Sequence, residues 1–370
     1  MFRGWSFSAG RLFGVDVRIH LTFLFLLAFV WITQSAAMGS GGAARGLALV
    51  LIIFGCVVAH ELGHALVARR YGLAVRSILL LPIGGMTLME EPGPERSNPA
   101  RDIRIAIAGP LVNLLIAGLA AAAILALAPQ VKLLGTPLLD AGNLPRSLVW
   151  SNVFLGLFNL LPAYPMDGGR ILRALYAERM DYVAATRRAV LIGQGLAMVM
   201  MLAGWVWNGW LALIGFVLFL GAQMEDRTVH FQSILAAVSM EEVMLTGFSI
   251  LSPADTLEDA LRKAVHTLQD DFPVVRGSEM VGVINKQRIV DALRREGNGY
   301  VQSAMTRNFE IAQRTDSLGL GFRKLGSRGL TMIPVVDDLR LVGIVTLQNL
   351  THSVALLLES RRLRRAQQGD

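Results

Sequence analysis

Apolar residues dominate residues 19–223 in stretches close to the length of a membrane crossing, whereas residues 239–355 mix apolar and polar positions as an ordinary globular sequence does. A helix rises about 1.5 Å per residue, so about 20 apolar residues are needed to cross roughly 30 Å of bilayer hydrocarbon. Six stretches approach that length: 19–33, then 46–68 after a linker rich in Gly, Ser and Ala, then 103–128, 148–161, 189–205 and 210–222. The first and fourth are short, and their flanks are expected to extend them. The start, MFRGWSFSAGRLFGVDVRIH, lacks a small-residue cleavage site after its apolar stretch and reads as a retained anchor.

One segment fits neither pattern. RSILLLPIGGMTLMEEPGP, residues 76–94, is too interrupted by Pro and Gly to be a continuous span. It is either a short membrane-associated β-hairpin, whose backbone is tolerated at depth only when buried in protein or lining a cavity, or a cytoplasmic loop with an apolar patch.

The globular half contains an internal repeat. DFPVV at 271 matches MIPVV at 332, VGVINKQRI at 281 matches VGIVTLQNL at 342, and DTL at 255 matches DSL at 316, all at an offset of 61 residues that Met244 and Met305 share. Two copies of a strand-rich unit with short helices predict a pseudo-symmetric pair that buries a common face. The expected organisation is therefore a polytopic α-helical membrane domain over 1–225, a linker over 226–239, an α/β tandem pair over 240–355 and a basic tail over 356–370.

Composition changes this picture little: 53% of the 370 residues are hydrophobic and 17% charged, which excludes an ordinary soluble protein. The distribution of the +7 net charge is more informative. Arginines crowd residues 3–18, 69–104 and 170–188, while the segments between them hold only Arg45, Lys132 and Arg146. Basic residues at span ends favour the cytoplasm, so the amino terminus and the C-terminal pair are expected inside an inner, cytoplasmic membrane. Those arginines and the tail RRLRR suit an anionic inner leaflet, and no nucleic-acid partner is needed to explain the charge. The lone Cys56 permits no intrachain disulfide and reads as a packing residue.

The chemistry concentrates in VVAHELGHALVARRYG, residues 57–72. Ionisable side chains inside a span are expensive and usually mark function. Four residues advance a helix by about 400°, so His60 and His64 lie about 40° apart on one face and can reach one metal ion. Zinc accepts two such nitrogens, and Glu61, about 100° round from His60, can take a proton from an attacking water. The alternative is a pair of satisfied core histidines matching the spacing by chance. A catalytic zinc needs a third protein ligand and an open position. The candidate is Asp167 in FNLLPAYPMDGGR, residues 158–170, where Pro162 and Pro165 interrupt regular helix and Gly168 and Gly169 permit close backbone approach. Depth agrees, since His64 and His60 lie roughly 8 and 14 Å inside Arg69. Taken alone, Asp-Gly is also a common turn signal.

HELGH and NLLPAYPMDGG together resemble the signature of the site-2 protease family of intramembrane zinc metalloproteases, and LLPIGGMT at 80–87 and AGPLVN at 108–113 are further matches over about residues 10–225. The resemblance implies hydrolysis of a peptide bond in a membrane-spanning regulatory protein, with His60, His64 and Asp167 on one zinc ion per chain and Glu61 as base. It also implies that Asn159, Asn113 and the hairpin glycines Gly84 and Gly85 position substrate, whose extended strand can pair with an exposed hairpin edge.

Residues 240–355 resemble a tandem pair of CBS domains, which implies regulation of the attached domain, an adenine nucleotide as ligand and a homodimer as its partner state. The acidic residue often found near the end of the repeated element is Arg288 in one copy and Asn349 in the other, while Thr346 remains as a nucleotide contact. A structural or dimerising role is the alternative there. For the whole chain the alternatives are a CBS-regulated membrane transporter or channel and a catalytically silent adaptor. His20 reads as interfacial, His230, His266 and His352 as surface residues, and Trp5, Trp205, Trp207 and Trp210 as interfacial anchors.

Overall fold

A computed structural model describes residues 5–89, 97–277, 279–321, 332–338 and 340–346. Residues 90–94 of the interrupted segment, Asn349, His352 and the basic tail lie outside them. The chain divides into two compact units, Met1–His230 and Phe231–Asp370.

The first unit opens with two strands, β1 (Ser6–Leu12) and β2 (Val15–His20), followed by α1 (Leu21–Arg70). The amino-terminal segment expected as an anchor is thus a β-hairpin, and the first span begins at Leu21, with His20 as its N-cap accepting from the Thr22 amide. At 50 residues, α1 is long enough to cross a bilayer twice, and its backbone breaks at Gly39, where φ is 69° and ψ −175°. That region is essentially closed to residues with a Cβ. The two arms fold back on each other there: the rings of Phe23 and Phe54 meet edge to face at 4.5 Å, and a Cβ at Gly46 would lie 2.9 Å from Gln34 Cγ. The expected linker is therefore helical on both sides of one glycine. Among the described residues, four helices are long and apolar enough to cross a membrane: α1, α2 (Pro99–Leu127), α5 (Tyr182–Trp207) and α6 (Gly209–Ala236). Between them lie α3 (Leu144–Asn159), too short to meet that length, and α4 (Asp167–Ala177).

The interrupted segment forms β3 (Val75–Leu81) and β4 (Gly84–Met89), an antiparallel hairpin that joins the first through parallel β2–β3 pairing, giving the strand order β1-β2-β3-β4. One face of this sheet packs on α1: Val15, Val17, Ile78 and Leu80 form a cluster with Phe23, Phe54, Val57 and Ala65. Small residues set the helix spacing elsewhere. Ala185, Ala189, Gly193 and Ala197 recur every four residues on the buried face of α5. A Cβ at Gly193 would lie 3.0 Å from Ala163 Cα, and one at Gly215 2.7 Å from Ala197 O. Such stripes let backbones approach where hydrophobic burial gives no preference between helix and lipid.

The second unit contains α7 (Met240–Val243), α8 (Leu257–Val265), β5 (Asp271–Arg276), β6 (Glu279–Asn285), α9 (Lys286–Glu296), α10 (Val301–Ala304), β7 (Ala312–Gln313), β8 (Met332–Asp337) and β9 (Arg340–Thr346). The 61-residue offset recurs in the backbone, even in the bulges at Val274/Val275 and Val335/Val336. The copies also exchange segments. Leu245 bridges to Ile344 and Val283 to Thr306, which are the same contact seen from each copy, and Met244 packs on Gly343 as Met305 packs on Gly282. Two cores result, one around Leu251, Phe272 and Ile289, the other around Met240, Leu318 and Val335.

Candidate metal centre

The second arm of α1 carries His60 and His64 one turn apart, both buried. Asp167 reaches them from the first turn of α4, 107 residues from His60. The loop before it makes this possible. A Cβ at Gly168 would meet the carbonyl oxygens of Leu160 and Leu161, and one at Gly169 would lie 2.8 Å from Ala163 C, so both glycines are needed for α4 to start against residues 160–164. Tyr164, almost wholly buried, wedges that loop against Ala189 and Val190 of α5 and Ala222 of α6. The Arg173 guanidinium lies 4.7 Å above the Tyr182 ring and 3.5 Å from Glu225, tying α4 to its neighbours.

The three ligand atoms form a nearly equilateral triangle. His60 Nε2 to His64 Nε2, His60 Nε2 to Asp167 Oδ2 and His64 Nε2 to Asp167 Oδ2 are each 3.1 Å. His64 Nδ1 lies 2.7 Å from the Ile105 carbonyl oxygen. A carbonyl only accepts, so Nδ1 carries the proton and Nε2 turns its lone pair to the centre of the triangle. Two imidazole nitrogens and a carboxylate oxygen facing one point in a buried setting are a donor set for a cation. Ligands bound tetrahedrally at zinc distances stand about 3.3 Å apart, close to the spacing observed. The backbone of α2 closes one side: a Cβ at Gly109 would meet His64 Nε2, His64 Cε1 and His60 Nε2. The residues therefore fit a zinc ion, and His60, His64 and Asp167 are the group of this kind among the described residues.

Glu61 lies on the flank of α1 covered by β4. A Cβ at Gly85 would stand 2.7 Å from Val57 Cγ1 and 2.9 Å from Glu61 Cγ, and the Thr87 hydroxyl is 2.5 Å from Glu61 Oε2. Gly84, at φ 143°, has nothing within 4 Å of its missing Cβ. Asn113 is completely buried and neither of its amide atoms has a partner, whereas Asn159 turns its amide N–H to the Leu155 carbonyl, 2.8 Å away. Thr346 ends β9 in the second unit. Sequence reasoning missed three participants: Thr87, Gly109 and the Ile105 carbonyl. It also took Cys56 as simple packing, yet its sulfur accepts from Asn152 Nδ2 at 3.0 Å.

Comparison with known proteins places the chain in a family. The profile of peptidase family M50 matches residues 48–202, and that of the CBS domain matches 240–295 and 301–356. The zinc metalloprotease MJ0392 of Methanocaldococcus jannaschii is 30% identical over 358 residues, which cover 95% of this chain and 97% of that protein. Stage IV sporulation protein FB of Bacillus subtilis is 29% identical over 179 residues, 48% of this chain and 55% of that one. Among solved structures, the site-2 protease from Methanocaldococcus jannaschii matches with 36% identity over 60% of this chain and 96% of that one, at a TM-score of 0.44. With a relative 30% identical over nearly the full length of both chains and the HExxH and DGG elements inside residues 48–202, the chain belongs to peptidase family M50, the site-2 protease family of membrane-embedded zinc metalloproteases, and carries a CBS pair at its C-terminal end.

Proposed function

We propose that this metalloprotease performs regulated intramembrane proteolysis, with His60, His64 and Asp167 holding one zinc ion per chain and Glu61 as general base, on a membrane-tethered regulatory protein cut within or beside its spanning segment. The observation that carries the reading is the 3.1 Å triangle of two imidazoles and a carboxylate, assembled from two elements far apart in sequence. Zinc supplies Lewis acidity that acidifies water and polarises a carbonyl. Glu61 takes a proton from the water as its oxygen bonds to the carbonyl carbon and the C=O π bond opens, then delivers that proton to the amide nitrogen, so the C–N bond breaks as the carbonyl re-forms.

A substrate helix hides its peptide groups in its own hydrogen bonds and must become extended before it is cut. The outer edge of β4, the last strand of its sheet, offers main-chain partners for such a segment, with Gly84 and Gly85 keeping its start clear of side chains. Asn113 has an amide to offer an unwound backbone, and Asn159 stands at the end of α3 nearby in sequence to the ligand loop. The amino terminus and the CBS pair lie on the cytoplasmic side of the inner membrane, where the pair modulates cleavage, forms a homodimer and takes an adenine nucleotide with Thr346 in contact.

The test compares membrane proteomes of cells expressing wild type and Glu61→Gln. The variant is expected to keep about one zinc per chain, because none of the three ligands changes, and to let one spanning protein accumulate uncut. Cleavage persisting in the variant removes Glu61 as base, and a solute flux that survives it favours a transporter.

A further inference from the structure

Strand β4 does more than flank the metal centre. Thr87 pairs in register with Ile78, a core residue, and so lies on the sheet face that packs on α1. Its hydroxyl is 2.5 Å from Glu61 Oε2 and 3.3 Å from the Glu61 carbonyl oxygen. A threonine hydroxyl has one proton to give, and a carboxylate is the stronger acceptor, so the proton goes to Oε2 in a short, charge-assisted bond. Among the described residues no other side chain donates to this carboxylate. The approach is built in: β4 comes this close to α1 only because residue 85 has no side chain to strike Val57 and Glu61.

We propose that Thr87 is the positioning residue of the general base. The inference rests on the reading of Glu61 as that base. Glutamate has three side-chain torsions and few intrinsic constraints, whereas threonine is branched at Cβ and stiff at its first torsion. Mounted on a strand, Thr87 fixes one carboxylate oxygen and leaves the other to face the attacking water. Misplacing a catalytic group by about 1 Å costs on the order of 100-fold in rate. Because β4 also owns the free edge, an extended substrate paired there and the hydroxyl that orients the base share one strand. Loss of the hydroxyl is therefore expected in the chemical step and not in substrate binding.

The experiment uses the full-length, zinc-loaded protein in detergent and β-casein as an unstructured peptide-bond probe, with Thr87→Val, Thr87→Ser and Glu61→Gln. Thr87→Val is expected to lower kcat about 10- to 100-fold with KM within about twofold, and Thr87→Ser to recover most of it. Zinc content and melting temperature should match wild type in both. A second readout needs no turnover: the carboxylate stretch of Glu61, identified as the infrared band that Glu61→Gln removes from 13C-glutamate-labelled protein, should shift in Thr87→Val and return in Thr87→Ser. A Thr87→Val enzyme with wild-type kcat, or with an unshifted Glu61 band where casein is not cut, overturns the proposal while leaving the protease reading intact. Full activity in Glu61→Gln would instead overturn that reading and this inference with it.

Discussion

The two imidazoles of the metal centre face a single hydrogen atom at Gly109, since any Cβ there would meet His64 Nε2 and His60 Nε2. Gly109→Ala is therefore expected to weaken zinc binding by about 10-fold or more, the scale on which groups supporting a ligand matter. Reading folding and metal content side by side makes the test specific. Alanine's better helix propensity, about 1 kcal/mol, offsets part of an overpacking cost of about 1–3 kcal/mol, so the variant should stay folded by circular dichroism while metal analysis shows lost zinc. Residue-level legibility follows the same line. The three candidate ligands that the fold brings together could be read because their spacing obeys helix geometry and because Asp-Gly-Gly declares a tight approach. Gly109 was visible only as part of AGPLVN, and Thr87 as one hydroxyl in an apolar hairpin, because each acts through a contact with another element and leaves no periodic trace.

At the scale of elements, one glycine turns α1 back on itself. Gly39→Ala forces a Cβ into a backbone region that only glycine tolerates and is expected to cost about 1–3 kcal/mol of stability. Gly41→Ala, two residues on and with nothing within 4 Å of its missing Cβ, should be tolerated, and thermal unfolding of the two variants in one detergent distinguishes them. The sequence made the two arms legible as apolar runs, but it suggested an irregular linker where the chain stays helical up to the break. It also concealed β1 and β2. Their alternation is short, and the register slips between Ser8 and Gly10, so the faces do not keep a clean two-residue period. In the second unit the repeat was plain, yet its exchange of segments was not, because equal spacing says which residues correspond and nothing about which copy they touch. The crossed packing predicts matched penalties: Gly282→Val against Met305 and Gly343→Val against Met244 should each cost about 1–3 kcal/mol and agree closely with one another in chemical denaturation.

Taken over the whole chain, the two arms of α1 with α2, α5 and α6 account for five crossings among the described residues, and the short α3 would have to supply the sixth that returns the chain to the side on which it began. The charge distribution predicts that this side is the cytoplasm. In a Cys56→Ala background, single cysteines at Ser40 and Lys132 are expected to react with a membrane-impermeant maleimide in intact cells, and one at Ser8 only after permeabilisation. Labelling of Ser8→Cys from outside would invert the topology and move the metal centre to the other leaflet. Composition made the apolar helices legible, and the arginine pattern supplies the expectation of their orientation. They could not reveal that the amino-terminal hairpin and the interrupted segment complete one sheet, since parallel pairing of β2 with β3 joins residues on either side of a 50-residue helix.

The crossed arms of the repeat carry a consequence for inheritance. Because Leu245 closes onto the second copy and Thr306 onto the first, neither half is a finished object without its twin. A gene that lost one copy would leave the survivor without the bridge and the methionine contact that its twin supplies, so a single copy is expected to unfold more easily than the pair.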